Sequence, residues 1–167
     1  MKKTNKGFSM VELIIVIAIM AILAGALAPA LIKYINKSRV STDIQTGQTI
    51  ATAIQTALSN EAGYDCADAM GTGSQTLTGG SAWATGDAFM ESVANTVGGK
   101  TIPKVKSKKC VAKGAATSTG GNFIFTVDAQ KNEVYVYIGA AGSAHQVYPD
   151  ADNCLSDDTT TTCNGTH

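Results

Sequence analysis

The chain has 167 residues and a mass of 17.2 kDa, and its 13 Lys and Arg are balanced by 13 Asp and Glu, which excludes the strongly basic footprint of a dedicated nucleic-acid binder. Its length suits one domain with its own core and is short for an enzyme with a separate cofactor domain. Aromatic residues make up 6% and charged residues 16%, a composition unlike a highly charged disordered chain and unlike a typical cytosolic enzyme.

The hydrophobicity is concentrated at one end. From Leu13 to Ile32 there are 20 residues without a charge, and the 25 positions from Phe8 to Ile32 hold a single acid, Glu12. As a helix those positions extend about 37 Å against a hydrocarbon layer of about 30 Å, and a segment apolar on every face is not an ordinary surface helix. A basic start at Lys2, Lys3 and Lys6, followed by the apolar run and by Ala28-Pro29-Ala30, also matches an ordinary secretory signal. A secreted or anchored binding protein, with a mature start near Leu31, is therefore the reading from another functional class. Flanking charge leaves the orientation undecided, because Lys33, Lys37 and Arg39 answer the three leader lysines.

Glu12 separates these readings. An ionisable group at membrane depth costs about 2.5–3.5 kcal/mol at the bilayer centre, so a carboxylate inside the apolar run calls for a partner. The surrounding sequence, Lys6-Gly7-Phe8-Ser9-Met10-Val11-Glu12-Leu13, resembles the N-terminus of type IV pilins and of the related pseudopilins of type II secretion. In that family a short basic leader is cut after a glycine by a membrane peptidase, the new terminal residue is N-methylated, and a glutamate follows four positions later. The resemblance implies that Gly7 precedes the cut, that Phe8 becomes the methylated terminus and that Glu12 is the assembly glutamate. Pro29 stands where many pilins have a helix-loosening proline, and a bend or local melting is expected near Gly25 and Pro29. An α-amine with a pKa near ~8 is mostly cationic at neutral pH, so the Phe8 terminus of one copy can compensate Glu12 of another. The partners so implied are other copies of the chain, a prepilin peptidase and N-methyltransferase, the membrane before assembly and an inner-membrane assembly machinery. Loss of the leader leaves 10 basic side chains against 13 acidic ones.

Beyond Ile32 the helical pattern changes character. Val40, Ile44, Gly47, Ala51, Ile54 and Leu58 recur at steps of four and three among Ser, Thr and Gln, so one face is apolar. The spacing predicts one helix from Phe8 to Asn60, stopped at Gly63. Residues 71–86 read as loop. Asp87 is placed to cap a helix carrying Phe89, Val93 and Val97, with Gly98-Gly99 as its stop. Six lysines between Lys100 and Lys113 lack interleaved aromatics and read as a solvated charge patch rather than a nucleic-acid site. Asn122–Val127 and Glu133–Ile138 form a predicted hairpin, and Gln146–Tyr148 a third strand. The expected fold is α+β, a long N-terminal helix packed on a small antiparallel sheet. In domain terms, residues 1–7 are the cleaved leader, 8–32 the membrane-spanning and filament-core half of the helix, 33–60 its amphipathic half and 61–167 an extracytoplasmic head.

Cys66, Cys110, Cys154 and Cys163 all follow the apolar segment and show no C-x-x-C spacing, which argues against thiolate metal ligation and for disulfides on an oxidising side of the membrane. Of the three possible pairings, Cys66 with Cys110 and Cys154 with Cys163 is preferred, because the second bridge staples a tail of Asp, Ser, Thr and Gly. Asp150, Asp152, Asp157 and Asp158 form an oxygen-rich cluster, and calcium is the metal such a cluster would take. Major pseudopilins have a calcium site in this region, but the spacing does not fit the twelve-residue calcium loop, so an acidic solvated tail is the reading and no cofactor is assigned. No nucleophile–base pair, phosphate loop or H-x-x-x-H spacing occurs, so no residue is assigned to catalysis. The expected function is that of a structural pilin subunit, first held in the cytoplasmic membrane and then carried on the surface in a filament, with a pseudopilin of a secretion or competence system as the alternative.

Overall fold

The computed structural model describes residues 8–84, 86–99, 101–107, 122–139 and 145–151. Its elements in chain order are α1 (Met10–Leu58), α2 (Glu61–Met70), β1 (Ser74–Leu77), α3 (Ala88–Val97), β2 (Asn122–Asp128), β3 (Glu133–Gly139) and β4 (His145–Tyr148). The four strands form one antiparallel sheet in the order β1-β2-β3-β4. The α+β class read from the sequence is the observed one. The chain divides into two compact units, Met1–Asn36 and Lys37–His167.

In the first unit α1 is an unbroken helix whose described side chains are all exposed. Of the bend or local melting expected near Gly25 and Pro29, melting does not occur, and the helix runs through both residues. Proline removes one backbone hydrogen bond, and here it is flanked by alanine, leucine and isoleucine that support the neighbouring turns.

In the second unit the remainder of α1 lays its apolar stripe on the sheet. Val40, Gly47, Ala51, Ile54 and Leu58 are buried as their spacing predicts, Ile44 is half-buried, and Ile50, Ala53 and Ala57 widen the stripe. Gly47 is required by the closeness of this packing: a Cβ there would lie 2.5 Å from Val147 Cγ2 on β4. The inward faces of β2, β3 and β4 contribute Phe123, Phe125, Val127, Val134, Val136, Ile138 and Val147 to the same core. The hairpin runs in register from Asn122↔Gly139 to Asp128↔Glu133, each strand one residue longer than predicted. Its turn holds Asn132 at φ 56°, and Lys131 both donates its N–H to Asp128 Oδ1 and places Nζ 3.0 Å from Oδ2. These bonds hold the Asp128 carboxyl below its ordinary pKa.

Two elements differ from expectation. The long helix stops at Leu58, not at Gly63, because Asn60 leaves helical geometry and caps α2, its Oδ1 accepting the Ala62 N–H at 3.3 Å. Gly63 lies inside α2, against the Ala57 carbonyl, where any side chain would collide with α1. Within the segment read as loop, Ser74–Leu77 pairs with β2 from Ser74↔Thr126 to Leu77↔Phe123 and forms an edge strand. Only Leu77 of these four residues is buried, so the strand is made by its neighbour and not by its own pattern.

α3 has the predicted caps. Asp87 Oδ1 accepts the Phe89 N–H at 2.9 Å and Gly98, at φ 71°, closes the helix by donating to the Ala94 carbonyl. Phe89 and Val93 point into the core, where the Phe89 and Phe125 rings meet at 6.1 Å.

Candidate processing and assembly site

The sequence starts a helix at Met10 because Ser9 precedes it and Glu12 follows three residues later, the pattern of a capping box. Glu12 Oε2 accepts the Ser9 N–H at 2.9 Å, and the Ser9 carbonyl accepts the Leu13 N–H at 3.2 Å. The acid therefore lies in the first turn, where the helix dipole favours a negative charge. This bond was not anticipated, although the Ser-x-x-Glu spacing that signals it was present. A carboxylate has about four lone-pair positions, so one N–H leaves capacity for a cationic donor from outside the subunit.

Around this acid the surface is apolar. Phe8 is 82% exposed, Met10 80% and Ile22 72%, and large apolar side chains stay exposed as far as Ile35. α1 is long and apolar enough to cross a membrane, and none of that apolar stretch is buried within the subunit. Contiguous apolar surface of this extent marks an interaction with lipid or with other protein. Glu12 and Pro29 thus lie on α1 and Phe8 two residues before its start at Met10, not inside the helix as expected, while Gly7 and the rest of the leader lie outside the described residues.

The other candidate residues are dispersed. Cys66, expected to pair with Cys110, is a free, half-buried cysteine on α2 that packs against the core, whereas Cys110, Cys154 and Cys163 lie outside the described residues. Asp150 is exposed and its carbonyl accepts a bond from Gln146 Nε2 at 3.4 Å; Asp152, Asp157 and Asp158 lie outside the described residues. Among the described residues no group of three His, Cys, Asp or Glu is placed to hold a metal. Of the lysine cluster, Lys104 and Lys106 are described and exposed, flanking the buried Ile102 and Val105.

A second acid escaped the sequence reading altogether. Asp43, 1% exposed, accepts the Lys106 N–H at 2.9 Å through Oδ1 and the Ser107 N–H at 2.7 Å through Oδ2. It pins the 101–107 segment to α1. Its signal was legible: position 43 falls three residues after Val40 and four before Gly47, on the apolar stripe.

Comparison with known proteins places the N-terminal geometry in context. Residues 2–28 match the family model of the prokaryotic N-terminal methylation motif. A type IV major fimbrial protein FimA of Dichelobacter nodosus is 46% identical over 68 residues, 40% of this chain and 43% of that protein. A second FimA of the same organism is 48% identical over 59 residues, 35% of this chain and 36% of that protein. The chain thus spans less than half the length of the curated relatives it matches. No solved structure matches it. The chain thus carries the prokaryotic N-terminal methylation motif on a long apolar helix and is similar over part of its length to type IV major fimbrial proteins.

Proposed function

We propose that the protein is a structural subunit of a type IV pilus, cut after Gly7, N-methylated at Phe8 and polymerised through the apolar part of α1. The observation that carries this reading is the methylation motif over residues 2–28 coinciding with a helix whose apolar side chains find no cover within the subunit. Residues 8–32 hold the subunit in the cytoplasmic membrane until assembly, and residues 61–167 form the head on the oxidising side, where Cys154 and Cys163 pair. In the filament Glu12 receives the methylated amine of Phe8 from a neighbouring copy, which fixes the axial register while aliphatic side chains supply cohesion. The subunit has no catalytic role, as is ordinary for a filament protein. The similarity to two fimbrial proteins favours the pilin over the pseudopilin reading.

Mass spectrometry of the mature N-terminus tests the proposal. A chain beginning with N-methylated Phe8, recovered from sheared surface filaments, is the expected result. A start near Leu31 would replace the proposal with ordinary secretion, and a methylated subunit confined to short, membrane-associated filaments would move it to the pseudopilins.

A further inference from the structure

The sheet has a second face that the core does not use. Residues paired directly across neighbouring strands point to the same side, and successive residues of one strand to opposite sides. Phe123 and Phe125 on β2 and Val134 and Val136 on β3 take the side of α1, so the alternate positions take the other. There the registers set Thr126 beside Tyr135 in one row, and Thr76, Ile124, Tyr137 and Gln146 in the next. Neither Ile124, Tyr135 nor Tyr137 belongs to the core around α1. Among the described residues the other elements attach on the α1 side: the Phe89 ring of α3 meets that of Phe125, Gly63 of α2 lies against Ala57, and Asp43 holds Lys106 and Ser107.

These two rows differ from an ordinary solvated sheet face, where Lys and Glu collect. Ile124, 5% exposed, stands between Thr76 and Tyr137, and the half-buried Tyr135 and Tyr137 follow each other on one side of β3, about 7 Å apart at the strand rise. Burial first, and the adjacent Tyr135 second, hold the Tyr137 phenol above its ordinary pKa, so near pH 7 it is neutral and both donates and accepts. Thr76 is exposed, Thr126 and Gln146 half-buried, and Gln146 gives one N–H to the Asp150 carbonyl while its amide oxygen keeps acceptor capacity. Neither row contains a charged residue. Charge on this face begins one row nearer the hairpin turn, at Asp128 and Glu133, with Lys131 paired to Asp128.

We propose that this outer face of the sheet is a binding platform for a neutral glycan, with Tyr135 and Tyr137 as stacking surfaces and Thr76, Thr126 and Gln146 as hydrogen-bonding groups. A pyranose ring offers an apolar C–H face to an aromatic ring and hydroxyls at its rim to amides and hydroxyls. The strand faces of other small β-folds take oligosaccharides. Charge complementarity selects the occupant. A nucleic acid or an anionic sugar needs cations beside the aromatics, and the exposed Lys104 and Lys106 stand on the segment held to α1, away from these rows. A protein partner needs an apolar centre to desolvate, and Ile124, the one aliphatic residue here, is already covered. The platform belongs to a single subunit, so the inference does not depend on the filament.

Cellohexaose and chitohexaose are the probes, titrated into the full-length chain in a detergent without a sugar headgroup and followed by calorimetry and by saturation transfer from protein to sugar protons. At least one is expected to bind. Tyr135→Ala is expected to weaken that binding about ten-fold or more, and Tyr135→Phe, which keeps the ring, to leave it within about three-fold. Thr76→Glu changes an exposed residue of the edge strand and is expected to weaken binding about ten-fold or more with an unmoved thermal midpoint, which separates ligand contact from folding. A galacturonate hexamer, with one charge on every ring, is expected to bind at least about ten-fold more weakly than the better neutral probe. Failure of both neutral probes to bind the wild type, wild-type affinity in Tyr135→Ala or in Thr76→Glu, or equal binding of the galacturonate hexamer would overturn the platform.

Discussion

Asp43 and Glu12 are both carboxylates on α1, and their surroundings ask opposite things of them. Asp43 is buried and serves the subunit: its two oxygens satisfy the Lys106 and Ser107 N–H groups, one of which has no access to water. Asp43→Ala removes the carboxylate that accepts both N–H groups, a loss of about 3 kcal/mol, or roughly 10 °C in the melting point of a domain this size. Asp43→Asn retains one acceptor oxygen and is expected to fall between the two. Thermal unfolding followed by circular dichroism measures both, and an unshifted Asp43→Ala midpoint would show that the 101–107 segment is held by Ile102 and Val105 alone. Glu12 is exposed, and among the described residues its carboxylate bonds the Ser9 N–H alone. Glutamine can make that same bond, so Glu12→Gln removes the charge while keeping the helix start, whereas Glu12→Ala removes both. Filament yield is expected to collapse in both variants, with processed monomer accumulating in the membrane and the thermal midpoint unmoved. Normal assembly of Glu12→Gln beside failure of Glu12→Ala would assign Glu12 to capping the helix and not to recognising a neighbour's amine.

At the scale of elements, what was legible in the sequence is what local chemistry determines. The steps of three and four from Val40 to Leu58 gave the buried stripe of α1, Asp87 and Gly98 bounded α3, and the alternation on both sides of the Asp128–Asn132 turn gave the central hairpin. β1 was not legible because Ser74, Gln75 and Thr76 carry no burial pattern; their strand conformation comes from an open edge on β2, which is far away in sequence. The end of α1 near Asn60 was legible, but α2 was not, because Gly63 reads as a helix stop although Asn60 followed by Glu61 is the cue for a new helix start. Gly63 answers a steric demand made by Ala57 across the turn, and such a demand is visible only once two helices are in contact. For the candidate site the contrast is similar. The apolar run, Glu12 and the methylation motif are contiguous and could be read directly, whereas the bonds of Asp43 join residues 63 and 64 positions apart.

For the whole molecule, the two units divide the work of folding and of association. Among the described residues every buried side chain lies at Val40 or beyond, so the second unit contains its core in full and the first contributes none of it. A chain consisting of Lys37–His167 is therefore expected to unfold cooperatively on heating, with the midpoint of the full-length protein in detergent, and to sediment as a monomer in plain buffer. The full-length chain should need detergent, because its large apolar side chains from Phe8 to Ile35 remain exposed. The truncated chain lacks that apolar stretch, and its monomeric state follows from the loss. A truncated chain that fails to fold would show that the first unit supports the core, and one that polymerises in buffer would transfer the cohesion of the filament from the apolar segment to the head.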